Sequence, residues 1–246
     1  MVIYLKILYT IYYGEFLKNE RLPLNCKPID DLLGGGIEYK SLTNVYGPAG
    51  SGKTNLAILA SISCVESGKK VIYIDTEGGF SAERLSQMSR NFEKISKKII
   101  LIEPKTFKEQ EEVIKNLESM TTNDVGLIVL DSLVNLYRLE LKGDNFQEVN
   151  RRLADQLRIL SKMSREKNIP VLVTNQVYAD IENNKIELVS RDISKYWSKC
   201  LVELIKIGKG KRLAVLRKHR SLPEGREAAF QITQKGIEPI KKISLF

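Results

Sequence analysis

Five short apolar runs rich in β-branched residues recur along the chain, each bounded by turn residues: Leu42–Tyr46, Val71–Asp75, Ile99–Ile102, Gly126–Asp131 and Pro170–Asn175. Runs this short with almost no polar alternation predict strands covered on both faces. Between them the pattern changes to a helical period. Lys53–Glu66 and Thr106–Ser119 read as helices, the second opening on the capping box Thr106-Phe107-Lys108-Glu109. Phe146 to Lys167 places Val149, Leu153, Leu157 and Leu160 at helical spacing, so one face of a long helix is apolar. Strand alternating with helix predicts right-handed βαβ units: an α/β fold with a mainly parallel twisted sheet and helices on both faces. After Cys200 the pattern becomes Leu201–Ile207, Arg212–Leu216 and Ala228–Ile232, joined by short turns such as Gly208-Lys209-Gly210. These predict an antiparallel C-terminal extension at the sheet edge.

The chain has 246 residues, 43% of them hydrophobic and 28% charged, which suits one full core. The expected division is an N-terminal arm over residues 1–25 and a single core over 26–246. Within the arm, Val2 to Tyr13 is apolar and aromatic except for Lys6 and Thr10. It has neither a basic leading region nor a small-residue cleavage site, and reads as a non-native start or loose arm, as a strand packed on this or a neighbouring subunit, or as a targeting segment. No apolar run reaches the roughly 18 residues of a membrane span, so no membrane partner is expected. The cysteines Cys26, Cys64 and Cys200 form no CxxC pair, which argues against a zinc site or a disulfide framework and for a reducing, cytoplasmic setting.

The net charge is +9 and is unevenly distributed. Residues 1–190 hold 25 basic and 25 acidic side chains. Residues 191–220 hold ten basic (Arg191, Lys195, Lys199, Lys206, Lys209, Lys211, Arg212, Arg217, Lys218, Arg220) against Asp192 and Glu203. One basic segment on a neutral body implies an anionic partner met at one place.

The sharpest chemical signal is Gly47-Pro48-Ala49-Gly50-Ser51-Gly52-Lys53-Thr54, a match to G-x-x-x-x-G-K-[ST] between a predicted strand and a predicted helix. Glycines let backbone amides converge on phosphate oxygens at a helix N-terminus; Lys53 reaches the outer phosphates and Thr54 offers a hydroxyl to Mg²⁺. A carboxylate must stand near that metal, and Asp131 ends the apolar strand Gly126–Asp131. Hydrolysis needs a group that orients water, and Glu77, in Asp75-Thr76-Glu77-Gly78-Gly79, follows another strand end. Gln176 ends the run from Val171 in the same layer, where it can sense a γ-phosphate. Tyr196-Trp197 between Lys195 and Lys199, with Arg191 nearby, offers stacking surface and cations to DNA.

With these elements in this order the chain resembles the RecA/RadA recombinase family. The likeness is carried by Cys26–Ile37, the phosphate loop, Ile74–Glu77, Leu130–Leu133, Val173–Val177 and Leu222–Gly225. It implies a RecA-type P-loop NTPase core, with ATP and Mg²⁺ as cofactors, Glu77 matching the water-activating glutamate and Gln176 the nucleotide-sensing glutamine. Arg84 matches an arginine that stacks on adenine, a contact suited to a planar guanidinium. Lys-x-Arg at Lys218 and Arg220 resembles the cationic finger that RecA- and KaiC-type subunits insert beside a neighbour's γ-phosphate; strand alternation puts both on one face, with His219 opposite.

Departures from the recombinase pattern shape the expected function. Only about 25 residues precede Cys26, so the separate helical DNA-binding domain is not expected, and Phe16-Leu17-Lys18-Asn19 is a poor counterpart of the segment that docks one recombinase subunit on the next. The regions matching the two DNA-holding loops, Arg138–Phe146 and Val177–Ile193, are respectively short and acidic, the second carrying Asp180, Glu182 and Glu187. The resemblance therefore implies an archaeal accessory protein of DNA repair and homologous recombination. It would bind MgATP and single-stranded or branched DNA, hydrolyse ATP weakly, and perform no strand exchange of its own. Its partners would be DNA, a recombinase or other repair protein, and a second copy met through Lys218 and Arg220. A KaiC-like ATP-gated adaptor is the alternative reading, and a P-loop small-molecule kinase a lesser one.

Overall fold

The computed structural model describes residues 21–180, 185–188 and 191–240, and of residues 178–180, 185–188 and 191 the backbone. The expectations for residues 1–20, and for the side chains of Asp180, Glu182, Glu187 and Arg191, lie outside the described residues. The chain enters through β1 (Arg21–Leu22), turns through helix α1 (Lys27–Leu32) and returns as β2 (Ile37–Glu38), antiparallel to β1. The Asp30 carboxylate holds this entry, accepting from the amides of Leu24 at 2.7 Å and Cys26 at 3.0 Å. Leu22 and Leu24 are buried in the core, so packing begins four residues before Cys26.

Alternation follows: β3 (Leu42–Gly47), α2 (Lys53–Glu66), β4 (Lys70–Asp75), α3 (Ala82–Met88), α4 (Phe92–Ser96), β5 (Ile99–Ile102), α5 (Phe107–Met120), β6 (Val125–Asp131), α6 (Asn135–Glu140), α7 (Phe146–Glu166) and β7 (Val171–Asp180). Then come β8 (Lys185–Leu188), α8 (Arg191–Trp197), β9 (Cys200–Lys206), β10 (Lys211–His219), β11 (Glu227–Thr233) and β12 (Gly236–Pro239). The main sheet runs β12-β11-β10-β9-β3-β7-β6-β4-β5, with β8 paired to β7. From β9 through β3, β7, β6 and β4 to β5 neighbours are parallel, and β9 to β12 form an antiparallel meander.

The strands read as unbroken apolar runs because each face has its own core. Val71 and Tyr73 of β4 and Leu127 and Val129 of β6 pack with Leu56, Ala57 and Ala60 of α2. Their alternates Ile72, Ile74, Ile128 and Leu130 pack with Ile114 and Leu117 of α5 and Leu153 and Leu157 of α7. The α/β expectation and the antiparallel extension both hold. β7 continues past Gln176 to Asp180 and pairs with β8, so the region expected as an acidic loop contains a two-stranded ribbon and helix α8. Among the described residues no helix is long and apolar enough to cross a membrane.

Candidate functional site

Register brings the chemistry to one edge. In adjacent parallel strands Gly47 lies opposite Gln176, and Asp75 opposite Asp131. The carboxyl ends of β3, β6 and β4 and the middle of β7 at Gln176 therefore lie side by side, the place where open α/β sheets bind ligands.

The loop after β3 needs its glycines. Gly50 and Gly52 have φ of +68° and +106°, a backbone region that side chains disfavour. Gly52 stands at the N-cap of α2 with no side-chain cap, leaving the first amides of that helix to other acceptors. Lys53 is only 8% exposed, and its ammonium donates to the carbonyls of Gly47 at 3.0 Å and Pro48 at 3.1 Å. Burial lowers its pKa, while the carboxylates of Glu77 and Asp131 pull it back up. Ser51 Oγ is fully buried without a hydrogen-bond partner.

Asp131 is 3% exposed and accepts from Tyr73 Oη at 2.8 Å and from the Thr174 and Thr54 hydroxyls. Burial raises its pKa and these three donors oppose the rise. Thr54 and Asp131, from different ends of the site, thus meet. Two hard oxygen donors at the mouth of a phosphate loop fit Mg²⁺, which takes few protein ligands and completes its shell with water and phosphate. The buried Ser51 hydroxyl, without a partner in the same loop, fits a loop that receives phosphate. Among the described residues there is no cluster of three or more His, Cys, Asp or Glu side chains that would hold a metal without phosphate.

Glu77 is held by a network only partly legible in sequence. Its Oε1 accepts from the Ser132 hydroxyl and from Gln176 Nε2 at 2.8 Å, and Gln176 Oε1 in turn accepts from Arg138 Nη1 at 3.2 Å. Asp75, 2% exposed, fixes the turn behind it: Oδ1 accepts the amides of Glu77, Gly78 and Gly79 at 3.1, 2.9 and 3.2 Å, and Oδ2 that of Phe80 at 2.8 Å. Thr76 is tied across to the Ser132 backbone at 2.8 and 2.9 Å, and Asn135 donates to the Thr76 carbonyl at 2.6 Å. Asp75, Asn135 and Arg138 escape sequence reading because their partners are backbone groups or side chains far along the chain. The one signal for Asp75 was the pair of glycines after Glu77, whose amides it gathers.

Arg84 lies beside the start of α2. Its Nε donates to Asn55 Oδ1 at 2.6 Å and its Nη1 to Gln87 Oε1 at 3.0 Å and to the Gln234 carbonyl at 2.9 Å, while Nη2 is buried without a partner. Two other expectations are corrected. Lys218 and Arg220 do not share a strand face, because the β9–β10 register shifts between Leu216 and Lys218 and β10 ends at His219. Lys218 Nζ donates to the Lys195 carbonyl at 2.8 Å, whereas Arg220 turns back to pair with the buried Glu38 at 2.8 Å, beside His219. Trp197 is partly buried and packs on the core beneath α8, so the outward aromatic is Tyr196, 74% exposed and edge-on to Trp197 with ring centroids 5.5 Å apart. Lys199 is exposed nearby, and Lys195 lies 3.7 Å from Asp192. The basic segment is therefore divided between α8 and the phosphate-loop side, where Arg212 Nη2 donates to the Gly50 carbonyl at 2.8 Å.

A phosphate loop, a hydroxyl–carboxylate pair and a braced glutamate at aligned strand ends, on a parallel sheet with an antiparallel extension, place this molecule among RecA-type P-loop proteins. The chain belongs to the Rad51 family, whose model matches residues 21–240, and to the RadB branch within it. It is 42% identical over 220 residues to the "DNA repair and recombination protein RadB" of Methanococcoides burtonii, covering 89% of this chain and 97% of that one. The protein of the same description from Thermococcus sibiricus is 43% identical over 226 residues, 90% of this chain and 96% of that one. Among solved structures, one described as the crystal structure of the RadB recombinase superposes with a TM-score of 0.78 at 41% identity, covering 89% of this chain and all of that one.

Proposed function

We propose that this chain is an ATP-dependent accessory protein of DNA repair and recombination that binds MgATP and DNA and hydrolyses ATP weakly. The observation that carries the reading is the meeting of Thr54 with Asp131 beside Lys53, with Glu77 braced at the neighbouring strand end. The names of the relatives support the biological setting.

In this reading the amides at the start of α2 and Lys53 bind and neutralise the phosphates, and Thr54 and Asp131 hold Mg²⁺. Mg²⁺, when bound, supplies further neutralisation of charge on the phosphoryl oxygens. Glu77 accepts a proton from the attacking water. Both of its contacts fall on Oε1, which leaves Oε2 as the oxygen for water, and Gln176 reports the state of the γ-phosphate to Arg138 at 3.2 Å. Arg84 stacks on the base once it exchanges its protein partners. Lys218 and Arg220 can serve a neighbouring subunit only by exchanging the Lys195 carbonyl and Glu38 for phosphate. DNA lies over α8, stacking on Tyr196 with Lys195 and Lys199 at its phosphates, and Trp197 supports the platform from below.

The test is ATP hydrolysis with and without single-stranded DNA, together with DNA affinity with and without MgATP. The reading expects DNA affinity to respond to MgATP and to fall steeply with salt, log K changing by about 0.7 per phosphate contact. Salt-independent binding, or no binding, would contradict the DNA role and favour the ATP-gated adaptor.

A further inference from the structure

The antiparallel meander forms a wall of the phosphate loop as well as an edge of the sheet. A methyl group on Gly47 would overlap the Leu204 carbonyl of β9, and one on Gly52 would lie 2.8 Å from Ile232 Cδ1 of β11. One on Gly50 would lie 3.4 Å from Lys206 Nζ, at the end of β9. The loop is thus pressed against β9 and β11 along its whole length, and two cations stand at the contact. Arg212 is fixed there: Nη2 donates to the Gly50 carbonyl at 2.8 Å and Nη1 to the Lys211 carbonyl at 2.8 Å. Lys206 is exposed and pairs with no carboxylate among the described residues, Glu203 on the same strand being committed to Arg217 at 2.6 Å. Lys206 also adds to the positive field at Lys53, lowering its pKa alongside burial. Two ammonium groups flanking one short loop repel each other, and a polyanion bound between them removes that cost.

We infer that Lys206 is a phosphate ligand supplied in cis by the C-terminal meander, and that Arg212 is a positioning residue pinning the Gly50 turn. Lys206, at the Gly50 turn, and Lys53 then hold one polyphosphate between them. This rests on the reading that the loop binds nucleotide. It deepens that reading by assigning triphosphate preference to β9 and β10 of the same chain, distinct from any cation a neighbouring subunit brings.

Equilibrium binding of a non-hydrolysable ATP analogue and of ADP, with Mg²⁺, to wild type, Lys206→Ala, Lys206→Arg, Arg212→Ala, Arg212→Lys and Lys53→Ala tests this. Lys206→Ala should weaken the ATP analogue about tenfold, the scale of one charge-assisted contact, and ADP by less. Lys206→Arg should restore affinity, Arg212→Ala should follow Lys206→Ala, and Arg212→Lys should recover part of the loss. The nucleotide-free melting temperature should stay unchanged in the Lys206 variants. Wild-type affinity for both nucleotides in Lys206→Ala, alongside their loss in Lys53→Ala, would overturn the inference while leaving the nucleotide site intact. Wild-type binding by Lys53→Ala would overturn the phosphate-loop reading and this inference with it.

Discussion

Asp75 shows how a buried residue can govern an exposed one. Its oxygens gather four consecutive amides, and the turn so formed delivers Glu77 to Ser132 and Gln176. Asp75→Asn keeps the volume but turns one acceptor into a donor facing amides. Turnover should fall about tenfold or more while ATP affinity stays near wild type. Unchanged turnover would mean that Gly78 and Gly79 set the turn unaided. His219 makes a different prediction. It is 1% exposed in its side chain and 4.0 Å from Glu38; burial holds its pKa below 6.5, with Arg21, Arg220 and Arg226 pushing the same way and Glu38 opposing. Folded His219 stays neutral where the unfolded chain takes a proton. Its contribution to stability is therefore complete above pH 6.5 and is lost as pH falls below that value. Melting temperatures between about pH 7 and pH 5 should decline less in His219→Gln than in wild type; parallel curves would assign the acid limb to carboxylates.

At the scale of elements, α5 and α8 separate what a sequence discloses from what it withholds. The capping box of α5 was legible because its signal is local: Thr106 Oγ1 accepts the Glu109 amide at 3.1 Å. The return contact goes one residue further back than the pattern implies, Glu109 accepting from the Lys105 amide at 2.8 Å. Thr106→Ala should cost about 1 kcal/mol in denaturant unfolding, and no measurable loss would show that packing of Phe107 and Ile114 alone holds the helix start. Helix α8 is seven residues long, too short to declare an amphipathic face, and an aromatic pair beside lysines reads the same whichever ring points inward. Tyr196→Ala should weaken single-stranded DNA binding by about tenfold without changing stability, whereas Trp197→Ala should lower the melting temperature. The reverse outcome would place DNA on another surface. The parallel strands were legible because two cores leave them continuously apolar, and β1, β2 and β12, two to four residues each, fall below any periodic signal. The end of β10 departs from strand alternation because its register shifts between Leu216 and Lys218, which a pattern of alternation does not show.

For the whole molecule, the +9 charge proves to be several arrangements. Lys195 and Lys199 belong to the α8 surface, Lys218 and Arg220 tie β10 to Lys195 and Glu38, and Lys206 and Arg212 face the phosphate loop. The sheet makes this division: β9 pairs with β3 and the meander brings Lys206 and Arg212 to the phosphate loop, while Trp197 of α8 packs on the core that α5 and α7 share. Everything assigned to nucleotide then depends on the strand-end site, and one comparison tests that site most directly. MgATP binding and hydrolysis should be measured side by side for wild type, Lys53→Ala and Glu77→Gln. The account predicts slow turnover in wild type, loss of nucleotide binding in Lys53→Ala, and near-normal binding without turnover in Glu77→Gln. Turnover that persists in Glu77→Gln would contradict it.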